Sequence, residues 1–292
     1  MSHPPVTLAN TQVWERRAAA NGIRYRVSLW VPPGEPPAGG WPVIYVLDAN
    51  ALFATFVEAL RRGSYRPQAT GIETAAVVGI AHAGRALYVP ERRYRDYTFG
   101  PSALAPASRT VGGGEAFLAF LVDELIPELH EAWALNGSRR MLFGHSLAGY
   151  FTLHALMARP EAFRTYAAIS PSIWWDEAGL RARMPGMAGH AARVFMAVGE
   201  WEGEGAPGER REPGHSRTLQ RRRERRMVER AQTLARDLET LLGEQRVAFR
   251  NFPEEDHASV LMVAIPRTLR FVMAADGVDD PAHRSARRGG RQ

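Results

Sequence analysis

The chain has 292 residues, 45% of them apolar and 23% charged, the proportions of an ordinary globular protein rather than a disordered or fibrous one. Its net charge of +6 is carried without a single Lys or Cys: all 37 basic residues are Arg. Missing thiols exclude disulfides, thiolate nucleophiles and Cys-held zinc or iron–sulfur clusters; missing amines exclude a Walker-type phosphate loop, a pyridoxal Schiff base and a Ser-Lys hydrolase.

No run approaches the roughly 18 uninterrupted apolar residues of a membrane span. Met1-Ser2-His3-Pro4-Pro5 lacks the charged-then-apolar start of a signal peptide. A soluble, cytoplasmic chain without membrane contact is therefore expected; a periplasmic home would need a leader upstream of it. Ile23 to Val31 alternates as a half-buried strand, and Pro32 to Pro42 reads as a loop. Val43–Leu47 and Thr74–Ile80 read as strands buried on both faces. Residues 115–134 have helical spacing, with Phe117, Leu118, Leu121, Leu125 and Leu129 on one side.

Regular alternation follows. Met141–Phe143 is expected as a strand, Leu147–Ala158 as a helix, and Tyr166–Ile169 and Val194–Val198 as buried strands. A helix over 218–242, a strand Arg246–Phe252 and a helix Val260–Met273 complete the series. Strands separated by helices imply an α/β fold, a mostly parallel sheet with helices on both faces. One domain is expected over 1–275, with an Arg-rich insertion at about 203–226 and a flexible tail at 276–292. Nine Arg fall between Arg210 and Arg230, including Arg221-Arg222-Arg223. The run reads as a solvated helical surface or an anion-binding one; no recognition motif beside it suggests nucleic acid.

The sharpest motif is Phe143-Gly144-His145-Ser146-Leu147-Ala148-Gly149, where a buried strand gives way to a helix. A Ser on such a turn projects its hydroxyl above the sheet, and the N–H of Leu147 points into the same space. A hydroxyl needs a general base, expected after the last strand, where His257 stands. His145 adjoins the Ser and is expected to point away from the attacking oxygen, among the substrate contacts. The acid should follow Val194–Val198, where Glu200 and Glu202 both qualify and Glu204 is a poorer third. Glu202 leaves more room for the turn back toward the His. A second oxyanion donor is expected from the backbone at Ala49 or Asn50. No metal site is expected.

Tyr45-Val46-Leu47-Asp48-Ala49-Asn50, Arg93-Tyr94-Arg95-Asp96-Tyr97-Thr98, the Gly-His-Ser turn and Ser170-Pro171-Ser172-Ile173-Trp174-Trp175 together resemble the esterase-D-type α/β-hydrolases. Within these the chain is most similar to the catecholate-siderophore esterases, which cut the trilactone of ferric enterobactin, salmochelin or bacillibactin. The resemblance spans residues 8–275. It implies a serine esterase without a cofactor, iron entering only as part of a small-molecule substrate, and some members use a Ser-His dyad. Ala49 and Ala148 stand where members usually have Gly, and Phe99 where they have Pro. Loops after parallel strands gather at one sheet edge. Arg93, Arg95 and the Arg-rich insertion are therefore expected to rim a pocket, with Trp174 and Trp175 either walling it or, one or both, packed in the core. There Arg can pair with a catecholate trianion and stack on its rings. Another ester (S-acyl, feruloyl or short acyl) and a non-catalytic binding role remain the alternatives, and the sequence leaves the oligomeric state open.

Overall fold

A computed structural model describes residues 3–4, 6–100, 108–207 and 215–274, apart from the side chains of Glu204 and His215. The expected tail at 276–292 and residues 208–214 of the insertion lie outside the described residues. Eight strands form one sheet in the order β1-β2-β4-β3-β5-β6-β7-β8. They are β1 (Thr11–Arg17), β2 (Arg24–Trp30), β3 (Trp41–Leu47), β4 (Ala76–His82), β5 (Leu135–His145), β6 (Thr165–Ile169), β7 (Arg193–Gly199) and β8 (Val247–Phe252). β1 and β2 pair antiparallel, as do β2 and β4; every pairing from β4 to β8 is parallel.

β3, β4, β6 and β7 are buried along their whole length because both faces of each are covered. On one side lie Leu147–Ala158, Met227–Leu242 and the segment 114–132; on the other lie Ala49–Gly63 and Val260–Met273. Leu147–Ala158 is buried from Leu147 to Met157, so it shows no polar face. Its bounds and those of Val260–Met273 match the periodicity. Among the described residues no helix is long and apolar enough to cross a membrane.

Two expected helices are interrupted. The path over 115–134 runs as Gly114–Ala119, a wider turn Phe120–Leu125, then Ile126–Ala132. Pro127 lacks the N–H that would continue the regular ladder, and the wider turn stands directly before it. The helix expected over 218–242 is two, His215–Arg225 and Met227–Leu242, broken where Arg226 adopts φ 45°. The break keeps the apolar second helix against β7 and β8 and frees the Arg-bearing first one to turn away from the sheet.

His154 shows what the packing costs at low pH. Its ring stacks on Phe99 with centroids 3.2 Å apart, and among the described residues neither nitrogen has a hydrogen-bond partner. Burial, reinforced by the Arg183 charge, pushes its pKa down to about 3. The unfolded chain protonates near pH 6.5, so this histidine's contribution is complete above that pH and is lost on acidification. Near pH 5 the loss is about 2 kcal/mol. His154→Phe, which keeps a flat ring, should therefore lose less stability than the parent between about pH 7.5 and 5, read as the urea midpoint. An unchanged pH dependence would count against this.

Candidate active site

The chain passes from β3 out to β4 and then returns to β5 on the other side of β3. Ligand crevices in such sheets open at this switch, beyond the carboxyl ends of the strands. β5 ends at His145 and the next helix starts at Leu147, so Ser146 alone makes the corner, with φ 60° and ψ −118°. A non-glycine residue there stores about 1–3 kcal/mol of strain. The corner is tight on one side only. A Cβ on Gly144 would sit 2.1 Å from the carbonyl oxygen of Ala148, so residue 144 must be Gly, whereas Ala148 itself is accommodated in the core.

Ser146 Oγ lies 3.0 Å from His257 Nε2, and His257 Nδ1 lies 2.7 Å from Glu202 Oε2. A carboxylate only accepts, so Nδ1 carries the proton and Nε2 is left to receive one from the serine. Glu202 is 4% exposed while the imidazole is partly accessible. Its other oxygen, Oε1, accepts from Ser170 Oγ at 2.5 Å and Gly199 N–H at 2.7 Å. Such a chain can raise the nucleophilicity of a hydroxyl, stabilise an imidazolium and return the proton to a leaving group.

Of the other expected site residues, several lie elsewhere. Glu200 is exposed and accepts the N–H of Glu254 at 2.9 Å, and it is Glu202 that meets His257. Arg95 is not on a pocket rim: it donates to both oxygens of buried Asp96, at 2.6 and 2.8 Å, together with His82. Trp175 is 3% exposed and belongs to the core, because its neighbour Tyr94 covers it; Trp174 alone reaches the cleft. The Asn50 side chain is turned to the loop after β4, donating to the carbonyls of Ala86 and Gly84, so any part Asn50 has in the oxyanion site is its backbone N–H's. His145 is not a substrate contact either. It is buried, and its Nε2–H donates to the carbonyl of His257 at 2.8 Å. Burial, and then the charges of His257 and Arg93, hold its pKa well below the usual histidine range.

Arg93 does reach the cleft, but its guanidinium is engaged. Its Nε lies 3.1 and 3.0 Å from the two oxygens of buried Asp48, and it donates through NH2 to the carbonyl of His145 at 3.3 Å. This bridge ties the end of β3 to the end of β5. Leu147 and Ala49 open the two helices that follow those strands, and first-turn amides have no acceptor within their helix. The cleft itself has about 140 Å³ of space and is walled by Ser146, His257, Ser172, Trp174 and Arg225. Arg225 comes from the Arg-rich segment and lies 4.2 Å over the Trp174 ring. Arg225 thus brings the expected Arg-rich insertion to the rim, whereas Asp48, Ser170 and Ser172 carry no site role in the sequence reading, although Ser170 and Ser172 stand in the Ser-Pro-Ser run.

A mostly parallel sheet with a serine on the corner after a central strand, and a histidine after the last, defines an α/β-hydrolase. The family model for esterases matches residues 18–238. The ferri-bacillibactin esterase BesA of Bacillus subtilis is 32% identical over 93% of this chain and 92% of its own. The siderophore enterobactin esterase of Emericella nidulans is 28% identical over 92% and 95%. Among solved structures, the siderophore hydrolase EstB of Aspergillus nidulans superposes with a TM-score of 0.80 at 26% identity, covering 96% of this chain and 99% of that one. The chain belongs to the esterase family.

Proposed function

We propose that the protein hydrolyses the ester bonds of a catecholate-siderophore trilactone through an acyl-enzyme formed on Ser146. The observation that carries this reading is the unbroken chain Glu202–His257–Ser146 opening into a cleft lined by Trp174 and Arg225. The names of the relatives, esterases of ferri-bacillibactin and enterobactin, support the substrate class.

Ser146 Oγ attacks the lactone carbonyl as His257 Nε2 takes its proton. The Leu147 N–H, with that of Ala49, receives the developing oxyanion. The imidazolium, held by Glu202, gives the proton to the departing alkoxide, and water then repeats the sequence on the acyl-enzyme. Iron enters only with the substrate. Drug-sized ligand pockets run to roughly 300–1,000 Å³, so a cleft of about 140 Å³ admits one arm of the substrate and leaves the rest against the Arg-bearing helix.

A charge test follows. Exposed charges are screened beyond about 8 Å at physiological ionic strength, so KM for a ferric trilactone should rise with salt while KM for a neutral aryl ester stays flat. Arg225 is the residue to replace, because removing Arg93 would leave the Asp48 carboxylate buried without its cation. Arg225→Gln should raise KM for the trilactone by roughly 3- to 10-fold and leave kcat for the aryl ester alone. Equal salt dependence for both substrates would instead favour a general esterase with an idle Arg surface.

A further inference from the structure

Three neighbouring strands, β3, β5 and β6, are each followed by a non-glycine residue bent to positive φ: Asp48 (52°), Ser146 (60°) and Ser170 (46°). All three meet at the site. Asp48 holds Arg93, and Ser146 faces His257. Ser170 has no role in the mechanism above. Strained residues that persist are held by their surroundings and cluster at functional sites, so the observed outlier asks for a reason.

The reason lies in what Ser170 touches. Its hydroxyl is fully buried and donates to Glu202 Oε1 at 2.5 Å, the oxygen turned away from His257. The Gly199 N–H donates to that same oxygen at 2.7 Å, and the Ser170 backbone is fixed in turn by its own N–H to the Ala197 carbonyl at 2.7 Å. A glutamate has one more torsion than an aspartate, and its terminal torsion is broad. Two donors on one oxygen remove that freedom and leave only Oε2 for the imidazole.

We propose that Ser170 is a positioning residue for the esterase reaction: with the Gly199 amide it clamps Glu202 so that the carboxylate is held aimed at His257 Nδ1. The inference rests on the serine-esterase reading of the site. The bland alternative is that a small side chain is simply needed to fill this corner, and the two differ in whether the effect passes through Glu202.

Ser170→Gly removes the hydroxyl while making the positive φ easier to adopt; Ser170→Ala keeps the Cβ and serves as the second variant. Each should be measured on an aryl ester, alone and combined with Glu202→Gln. The clamp requires kcat to fall roughly 10- to 100-fold with KM within about twofold, as expected when a buried charged acceptor loses one donor. In the Glu202→Gln background the same change should cost less than about threefold, since residues acting through one another are not additive. Full turnover by both Ser170 variants, or an equal loss in both backgrounds, overturns the clamp while leaving the serine esterase intact. Full turnover by Ser146→Ala overturns the esterase reading and the clamp with it.

Discussion

Ser146→Ala should lower kcat by roughly 10³-fold or more, and His257→Ala by a similar factor, because nucleophile and base act as a unit and losing either removes both. The geometry leaves no substitute. Ser146 Oγ is the hydroxyl within 3.0 Å of His257 Nε2, and the nearby Ser172 Oγ sits 3.5 Å from Ser146 Oγ. KM should change little, since neither atom contributes much to holding the substrate before attack. A fluorophosphonate probe should label the parent on Ser146 and leave both variants unlabelled, by intact-mass measurement. Near-normal turnover by Ser146→Ala would end the esterase reading.

Glu202→Gln should cost roughly 10²- to 10³-fold in kcat, less than loss of the serine, as in triads whose acid is the weaker member. The clamp makes the sign of this effect definite. Ser170 and Gly199 both donate to Oε1, so the amide oxygen of Gln must occupy that position and the amide NH2 must face His257 Nδ1. That forces Nδ1 to accept and moves the imidazole proton to Nε2, where it blocks transfer from Ser146. Glu200→Gln should stay within about twofold, because Glu200 is exposed and accepts the Glu254 amide rather than a site group. Loss confined to Glu200→Gln would reassign the acid; no loss in either would make the site a dyad.

Much of this was legible beforehand because it rests on local signals. The apolar strand, the Gly-His-Ser corner and the all-apolar helix behind it fix where Ser146 stands, and the strand–helix alternation then puts His257 at the same sheet edge. What sequence leaves open is which of two close neighbours faces inward. Glu200 caps and Glu202 sits within a single helical turn, Trp201–Glu204, and residues two apart on a turn point to different sides. The same applies to Arg93 and Arg95 on Pro90–Asp96, where one reaches Asp48 and the other Asp96. Trp174 and Trp175 divide likewise between cleft and core. β1 escaped notice because Gln12, Glu15, Arg16 and Arg17 break any apolar alternation; pairing with β2 makes it a strand. The Ser170 clamp was invisible for another reason: it joins residues 32 apart through a hydroxyl whose role depends on a backbone angle.

The central claim, ester hydrolysis of a catecholate-siderophore trilactone on Ser146, is tested most directly by incubating the protein with ferric and iron-free trilactones and following the products by mass spectrometry. The account predicts stepwise gain of water, giving the linear trimer and then shorter esters. It predicts none of these with Ser146→Ala, while an aryl ester is cleaved by the parent alone. Intact trilactones after an incubation in which the parent fully cleaves the aryl ester would contradict it.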